Sequence, residues 1–289
     1  MKRVSIFHFS FSIFNLLLYL CHESMVKNKN IDERIGLLVD KLEPITLEEM
    51  SGIKLMNRTD TKFVTNKEHL ARLLELAQGK YYAQYTDGSR IAEYITTYWD
   101  TEDLDFYFQH HNGRAPRQKV RVRTYVSSNL TFLEVKTKNN HGRTKKKRIE
   151  VPSQKVAEVK AEADEFLMHR AHRTLDDIHP TVQNHFHRIT LVNKGKTERL
   201  TIDFDVEFHN YETNDETGTG NLVIIELKRD GNVPSPVLDI LRKLRIKPSG
   251  FSKYCIGSVM TNRGLKHNMF MEKMVWIRKL VGKELNAEL

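Results

Sequence analysis

Lys119-Val-Arg-Val-Arg-Thr-Tyr125 alternates cations with β-branched residues, the pattern of a strand with one charged and one apolar face. Lys119, Arg121 and Arg123 share one side, and Val120, Val122 and Thr124 take the other. The same parity recurs downstream. In Thr131-Phe-Leu-Glu-Val-Lys-Thr-Lys138, Glu134, Lys136 and Lys138 oppose Leu133 and Val135. In 199–208, Arg199, Asp203, Asp205 and Glu207 alternate with Leu200, Ile202, Phe204, Val206 and Phe208. Glu226 and Lys228 likewise oppose Ile225 and Leu227, and upstream Arg58, Asp60 and Lys62 repeat the pattern. A sheet face left in water mixes both signs evenly, whereas these faces carry basic rows broken by single carboxylates.

Short polar loops separate 118–125, 131–138 and 145–151, as an antiparallel meander requires. Further strands are expected at 58–65, 94–100, 106–110, 185–193, 199–208 and 222–228. Helical spacing spans 31–56, divided by Pro44, then 67–78 stopped by Gly79, 154–173, and 268–285 around Trp276. Many strands with few helices between them give the α+β class: an antiparallel eight-stranded β-barrel with helices packed outside. The apolar faces then lie under the helices and the charged faces line the interior. Cations facing one another repel unless an anion neutralises them, and the planar Arg fork grips phosphate oxygens with two hydrogen bonds. The carboxylates assigned to that face, Glu134, Asp203, Asp205, Glu207 and Glu226, are candidate oxygen ligands for Mg²⁺ or Mn²⁺, ions that neutralise charge in phosphoryl transfer. Glu226 stands out because Lys228 follows on its face, setting metal and phosphate sites side by side.

The chain has 289 residues, 39% hydrophobic and 29% charged, which excludes general disorder. Its net charge is +9, and Arg114 to Arg148 alone holds twelve Lys and Arg against the single acid Glu134. The basicity belongs to one segment, and the partner it points to is a polyanion. Cys21 and Cys255 lie far apart and form no CxxC pair, which fits a reducing, cytoplasmic setting and excludes a thiolate zinc site. His169 and His172 form an HxxH without the Glu of HExxH, so these histidines read as solvated. Gly218-Thr-Gly220 lacks a third glycine and precedes a strand, which makes it a turn. Lys2 and Arg3 precede an apolar run from Val4 to Cys21, of marginal length for a membrane span. Residues 1–24 read as an over-extended start, with a short anchor as the alternative, and 25–289 as one domain.

Arg58-Thr-Asp-Thr-Lys62-Phe, Tyr98-Trp-Asp-Thr101, Lys119-Val-Arg-Val-Arg123, Phe132-Leu-Glu-Val-Lys136, Leu200-Thr-Ile-Asp203, Ile225-Glu-Leu-Lys228 and Phe251-Ser-Lys-Tyr254 follow in order over 55–257. Together they resemble the VTC domain in its stand-alone bacterial form. That domain is the polyphosphate polymerase module of the vacuolar transporter chaperone complex, within the triphosphate tunnel metalloenzyme superfamily. The resemblance implies a β-tunnel in which the terminal phosphate of ATP passes onto inorganic polyphosphate, with Mn²⁺ or Mg²⁺. Carried over by motif, Lys62, Arg121, Arg123, Lys136, Arg188, Arg199 and Lys253 would grip phosphates, and Glu226 would hold the metal. Glu134, by its face, is the second candidate ligand. Arg58, Lys119, Lys138, Lys146, Arg148 and Lys228 would add substrate contacts, Lys146 being taken from the run 145–147 with Arg148 on its face. His187-Arg188 departs from the family pattern, which often has Tyr before this arginine. The family's fused regulatory and membrane domains have no counterpart in the sequence, leaving any membrane coupling to a separate membrane protein.

Two other functions fit parts of the pattern. A hydrolase of tripolyphosphate or nucleoside triphosphates would use the same grip, with water as the acceptor. A nucleic-acid binder could stack bases on Tyr94, Tyr98 and Trp99. Carboxylates within the basic rows would repel a phosphodiester backbone, so no nucleic-acid partner is expected.

Overall fold

The alternating segments pair edge to edge in a computed structural model that describes residues 30–51, 58–141, 143–231 and 233–281. The apolar segment 1–24 lies outside the described residues. In chain order the elements are α1 (Ile31–Asp40), β1 (Glu43–Ile45), α2 (Leu47–Ser51), β2 (Arg58–Asn66), α3 (Lys67–Ala77), β3 (Tyr81–Gln84), β4 (Ile91–Asp100), α4 (Asp105–His111), β5 (Arg117–Tyr125), β6 (Leu130–Lys138), β7 (Thr144–Val151), α5 (Lys160–Ala171), β8 (His179–Asn193), β9 (Glu198–Asn210), β10 (Glu216–Gly218), β11 (Leu222–Asp230), α6 (Pro236–Lys243), α7 (Lys253–Thr261) and α8 (Met271–Val281). Among the described residues no helix is long and apolar enough to cross a membrane.

Eight strands make one antiparallel path, β2-β11-β9-β8-β4-β5-β6-β7, and β1, β3 and β10 are short additions that bring the sheet to eleven. The expected antiparallel α+β architecture is present, but closure is not: β2 and β7 end the path and do not pair. The β7 edge carries exposed Lys145, Lys146, Lys147 and Arg148, and a charged edge resists further pairing. The segment 106–110, expected as a strand, is helical. Asp100 at the end of β4 accepts the backbone N–H groups of Phe106 and Tyr107, both at 2.9 Å, and so fixes the first turn of α4.

Directly opposed residues of paired strands share a face. Register sets Lys62 against Glu226, Lys228 against Arg199, and Arg188 against Asp203. It also sets Arg121 against both Tyr98 and Glu134, and Lys136 against both Lys119 and Lys146. Lys62 and Lys136, from strands near opposite ends of the path, line one cavity, so the sheet curls round its charged face. On the other face α1, α3 and α6 bury Phe63, Ile189, Leu200, Ile202 and Ile225, and α5 covers Val120, Val122, Leu133 and Val135. The inner face is not left to the cations. Tyr254 of α7 stacks on Tyr98 at 5.1 Å, and Met274 and Ile277 of α8 join Val64 and Ile224. The expectation that helices pack only outside is corrected: α7, α8 and part of α4 lie within the curl.

Parity breaks once. Between His185 and His187 the register of β8 with β9 shifts, and Asp205 takes φ +51°. Asp203 stays inside with Arg188, but Asp205 and Glu207 join the outer face. There Asp205 lies 2.6 Å from Lys67 and 3.5 Å from His187, and Glu207 lies 3.5 Å from His185. The placement of all three acids on one side is therefore corrected; a two-residue period cannot show an inserted residue.

Gly257 of α7 sits so close to Phe208 that a Cβ there would come within 2.5 Å of a ring carbon. Gly257→Ala should destabilise the fold by about 1–3 kcal/mol through overpacking. Thermal unfolding reads this directly, and an unchanged midpoint would show that α7 is not seated on Phe208.

Candidate active site

Two buried carboxylates organise the inner cations. Glu134 is wholly buried; one oxygen accepts from Arg121 Nε at 2.7 Å and Nη2 at 2.5 Å, and the other from Lys146 Nζ at 2.8 Å. Asp203 accepts from Arg188 Nε at 2.6 Å and Nη2 at 2.8 Å, and from the Lys253 ammonium. Burial pushes both carboxyl groups up, but the adjoining cations outweigh it. Arg121, Arg123 and Lys146 bring Glu134 to about 2, and Arg188 and Lys253 hold Asp203 well below the carboxylate range.

Arg123 has no carboxylate within ion-pair distance among the described residues. Its Nε donates to Thr96 Oγ1 at 3.0 Å, and its guanidinium lies 5.5 Å from the Tyr94 ring centre. Burial, then the neighbouring Arg121 and Arg188, lower it to about 10. Lys253 lies 4.0 Å over the Phe186 ring, and burial brings it to about 8 despite Asp203.

Beside these pairs opens a cavity of about 950 Å³, where Lys62, Lys119 and Lys136 of three strands meet Glu226, His110 of α4 and Lys273 of α8. Lys62 Nζ donates to the Phe251 carbonyl at 3.0 Å and Lys119 Nζ to Ser252 Oγ at 2.7 Å, which ties β2 and β5 to the turn before α7. Burial lowers Lys136 to about 8, against the opposing pull of Glu226. Burial raises Glu226, but Lys228, Lys62 and Lys136 bring it to about 2. Its contact with Lys228, 3.8 Å, is longer than a hydrogen bond.

The sequence-predicted residues thus divide. Lys62, Lys119, Lys136, Lys138 and Glu226 line the cavity. Arg121, Lys146, Arg188 and Lys253 belong to the two carboxylate clusters. Arg199 and Lys228 share the inner face, opposite one another, outside the cavity lining. Arg148 lies 4.0 Å over Phe132 near the β7 edge. Arg58 pairs in register with Asp230, and its side chain lies outside the described residues. Glu134 does not reach the cavity, and both its oxygens are taken, so it stands as a counter-ion rather than as a ligand awaiting a metal.

Among the described residues no three His, Cys, Asp or Glu side chains converge as a metal site. Glu226 and Asp60 both line the cavity, however. Hard divalent ions are commonly held by one or two carboxylates together with substrate phosphates, so these oxygen donors fit Mg²⁺ or Mn²⁺.

Three residues were given no place at the phosphate site by the strand pattern. Tyr98 shares a face with Arg121; burial raises its hydroxyl, but Arg121, Arg123, Lys119 and Lys253 bring it down to about 8. Its parity with Thr96 and Asp100 was the available signal. His110 and Lys273 lie on helices, where no two-residue period could mark them.

The family model described as the VTC domain matches residues 57–262. The chain belongs to the VTC domain family. Among solved structures, this VTC domain is 15% identical to an adenylyl cyclase candidate from Hippeastrum with a dominant triphosphatase activity, at a TM-score of 0.46, over 74% of this chain and 100% of that one. An adenylate cyclase candidate from Bacillus halodurans is 14% identical at a TM-score of 0.45, over 68% and 96%. No curated protein matches the chain.

Removing one partner from a buried ion cluster leaves the others uncompensated, at a cost of about 3–5 kcal/mol. Glu134→Gln should lower the unfolding midpoint of the ligand-free VTC domain accordingly. Added pyrophosphate should restore more stability to this variant than to wild type, because an anion can take over the missing charge. Equal stabilisation of both proteins would mean that ligand charge does not reach Arg121.

Proposed function

We propose that this VTC domain is a metal-dependent enzyme that transfers the terminal phosphoryl group of ATP to inorganic polyphosphate. The observation carrying the reading is the convergence of Lys62, Lys119 and Lys136 with an ionised Glu226 on one cavity. Cations brought together by a curled sheet repel until a polyanion enters, and a carboxylate among them serves a metal rather than the polyanion. Glu226, with Asp60 beside it on the wall, would hold Mn²⁺ or Mg²⁺, which when bound neutralises charge on phosphoryl oxygens. Lys62, Lys119 and Lys136 hold the phosphate chain, and Arg121 and Arg188, oriented by their carboxylates, present guanidinium groups to it. Lys136 and Lys253, brought to about 8 in the ligand-free protein, regain full charge beside an anion.

A second reading keeps the site and replaces the acceptor with water, giving a hydrolase of tripolyphosphate or nucleoside triphosphates. One observation favours it. Ser252, just before α7, and Ile256 within it line the cavity, and Tyr254, Cys255 and Val259 of the same helix are buried on the inner face, which narrows the space for a long chain on this side.

Incubation with ATP and Mn²⁺, followed by gel separation of the products, divides the readings. A ladder of long polyphosphate supports the polymerase, and orthophosphate alone supports the hydrolase. Intact ATP sinks both. Glu226→Gln should cut turnover at least about a hundredfold, since even outer-shell changes at metal sites cost 10–100-fold, while circular dichroism shows the variant still folded.

A further inference from the structure

The strand motifs account for only part of the cavity lining. Helices supply another part, with His110 on α4 and Lys273 on α8. Among the described residues the buried Nδ1 atom of His110 has no hydrogen-bond partner, and its ring stands edge-on to Phe270, centroids 6.2 Å apart. Buried polar atoms in native proteins almost always have partners, so an orphaned nitrogen on a cavity wall points to a group that arrives later. The charges that act most strongly on this imidazole are cations, Lys119 and Arg117 from β5, Lys62 from β2 and Lys273 from α8, while the carboxylates Asp60 of β2 and Glu226 of β11 line the same cavity. On its own helix Asp105 is turned to Arg173 at 3.3 Å, and His111 stacks on Tyr107 and contacts Asn112. Lys273 is tethered through its ammonium to the Gly250 carbonyl.

We infer that His110 and Lys273, with Arg117, form a second anion grip that takes a phosphate unit of the bound chain from the helical side of the cavity. This rests on the proposed phosphate-chain reading of the cavity and adds His110 and Lys273, which no strand contains, beside Arg117 at the start of β5. In the ligand-free protein, burial and then the four neighbouring cations keep the imidazole neutral, down to about 2. A phosphate among those cations reverses the local field. The imidazole then binds a proton from solvent and donates a charge-assisted hydrogen bond to a phosphate oxygen. Chain binding is therefore coupled to proton uptake through His110. The presentation is rigid, because Asp100 holds the start of α4 through two backbone N–H groups and also accepts from the Tyr254 hydroxyl of α7.

The test is calorimetric titration of metal-free tripolyphosphate into the full chain at pH 7, without ATP, in buffers of differing ionisation heat. Wild type should bind with net proton uptake. His110→Gln and Lys273→Met should each bind roughly tenfold more weakly, the loss expected for one charge-assisted contact. His110→Gln should in addition take up fewer protons, which a merely structural role would not produce. Affinity within about twofold of wild type in both variants, or an unchanged proton count in His110→Gln, overturns the inference while leaving the cavity reading intact. Failure of wild type to bind tripolyphosphate removes both.

Discussion

Like charges gathered inside a curled sheet repel one another, and the inner face is arranged around that repulsion. Glu134 takes Arg121 and Lys146, and Asp203 takes Arg188 and Lys253. Each acid holds its arginine through both Nε and Nη2, so the guanidinium plane is set before any ligand arrives. Burial is the largest influence lowering Lys119, Lys136 and Arg123. Together with Glu226 and Asp60 on the cavity wall, these carboxylates are fewer than the cations that share the inner face. The surplus is the binding capacity.

The inner face has two ends, and each strand crosses from one to the other. On β2 charge gives way from Lys62 to Val64, and on β11 from Glu226 to Ile224. On β9 Asp203 is followed, past the bulge, by Val206 and Phe208, and on β8 Arg188 is preceded by Phe186 and Val182. The apolar end is where α7 and α8 pack, and the charged end is where the cavity opens. Without the helices that apolar surface would face water; without the cations the cavity would collapse like an ordinary core. Aromatic rings join the two ends: Tyr94 and Phe186 stack at 5.2 Å and lie under Arg188 at 4.8 and 5.3 Å.

The strand parity was legible because burial on one face and charge on the other impose a period of two on residues such as Lys119 to Arg123. That reading places Lys62, Lys119, Lys136 and Glu226 on one wall, as the structure does. It failed where the cause is not periodic. The bulge at Asp205 moves two acids outward by one inserted residue. Phe106 to His110, apolar and aromatic enough for a strand, is helical because Asp100 caps it from a neighbouring element. The packing of α7 inside the curl follows from the missing side chain at Gly257, and no local pattern announces that close approach. Closure is set by what the edges of β2 and β7 present to each other, a relation between segments far apart in the chain.

Both walls of the cavity take their positions from the β4–β5 pair. Tyr98 on β4 stands opposite Arg121, which orients on Glu134; two residues on, Asp100 caps α4 and accepts from Tyr254 of α7. Asp100 also accepts the Thr101 N–H at 2.8 Å, and its carboxylate joins the strand end to α4 and α7. Burial works against such a charge, raising its pKa above the ordinary value, and only the convergence of several donors supports it there. The spacing between the strand cations and His110 is therefore set by the reach of one carboxylate, not by the intrinsic helicity of the seven residues of α4. A short helix is marginal alone in water. Held from Asp100, it becomes as fixed as the sheet it faces.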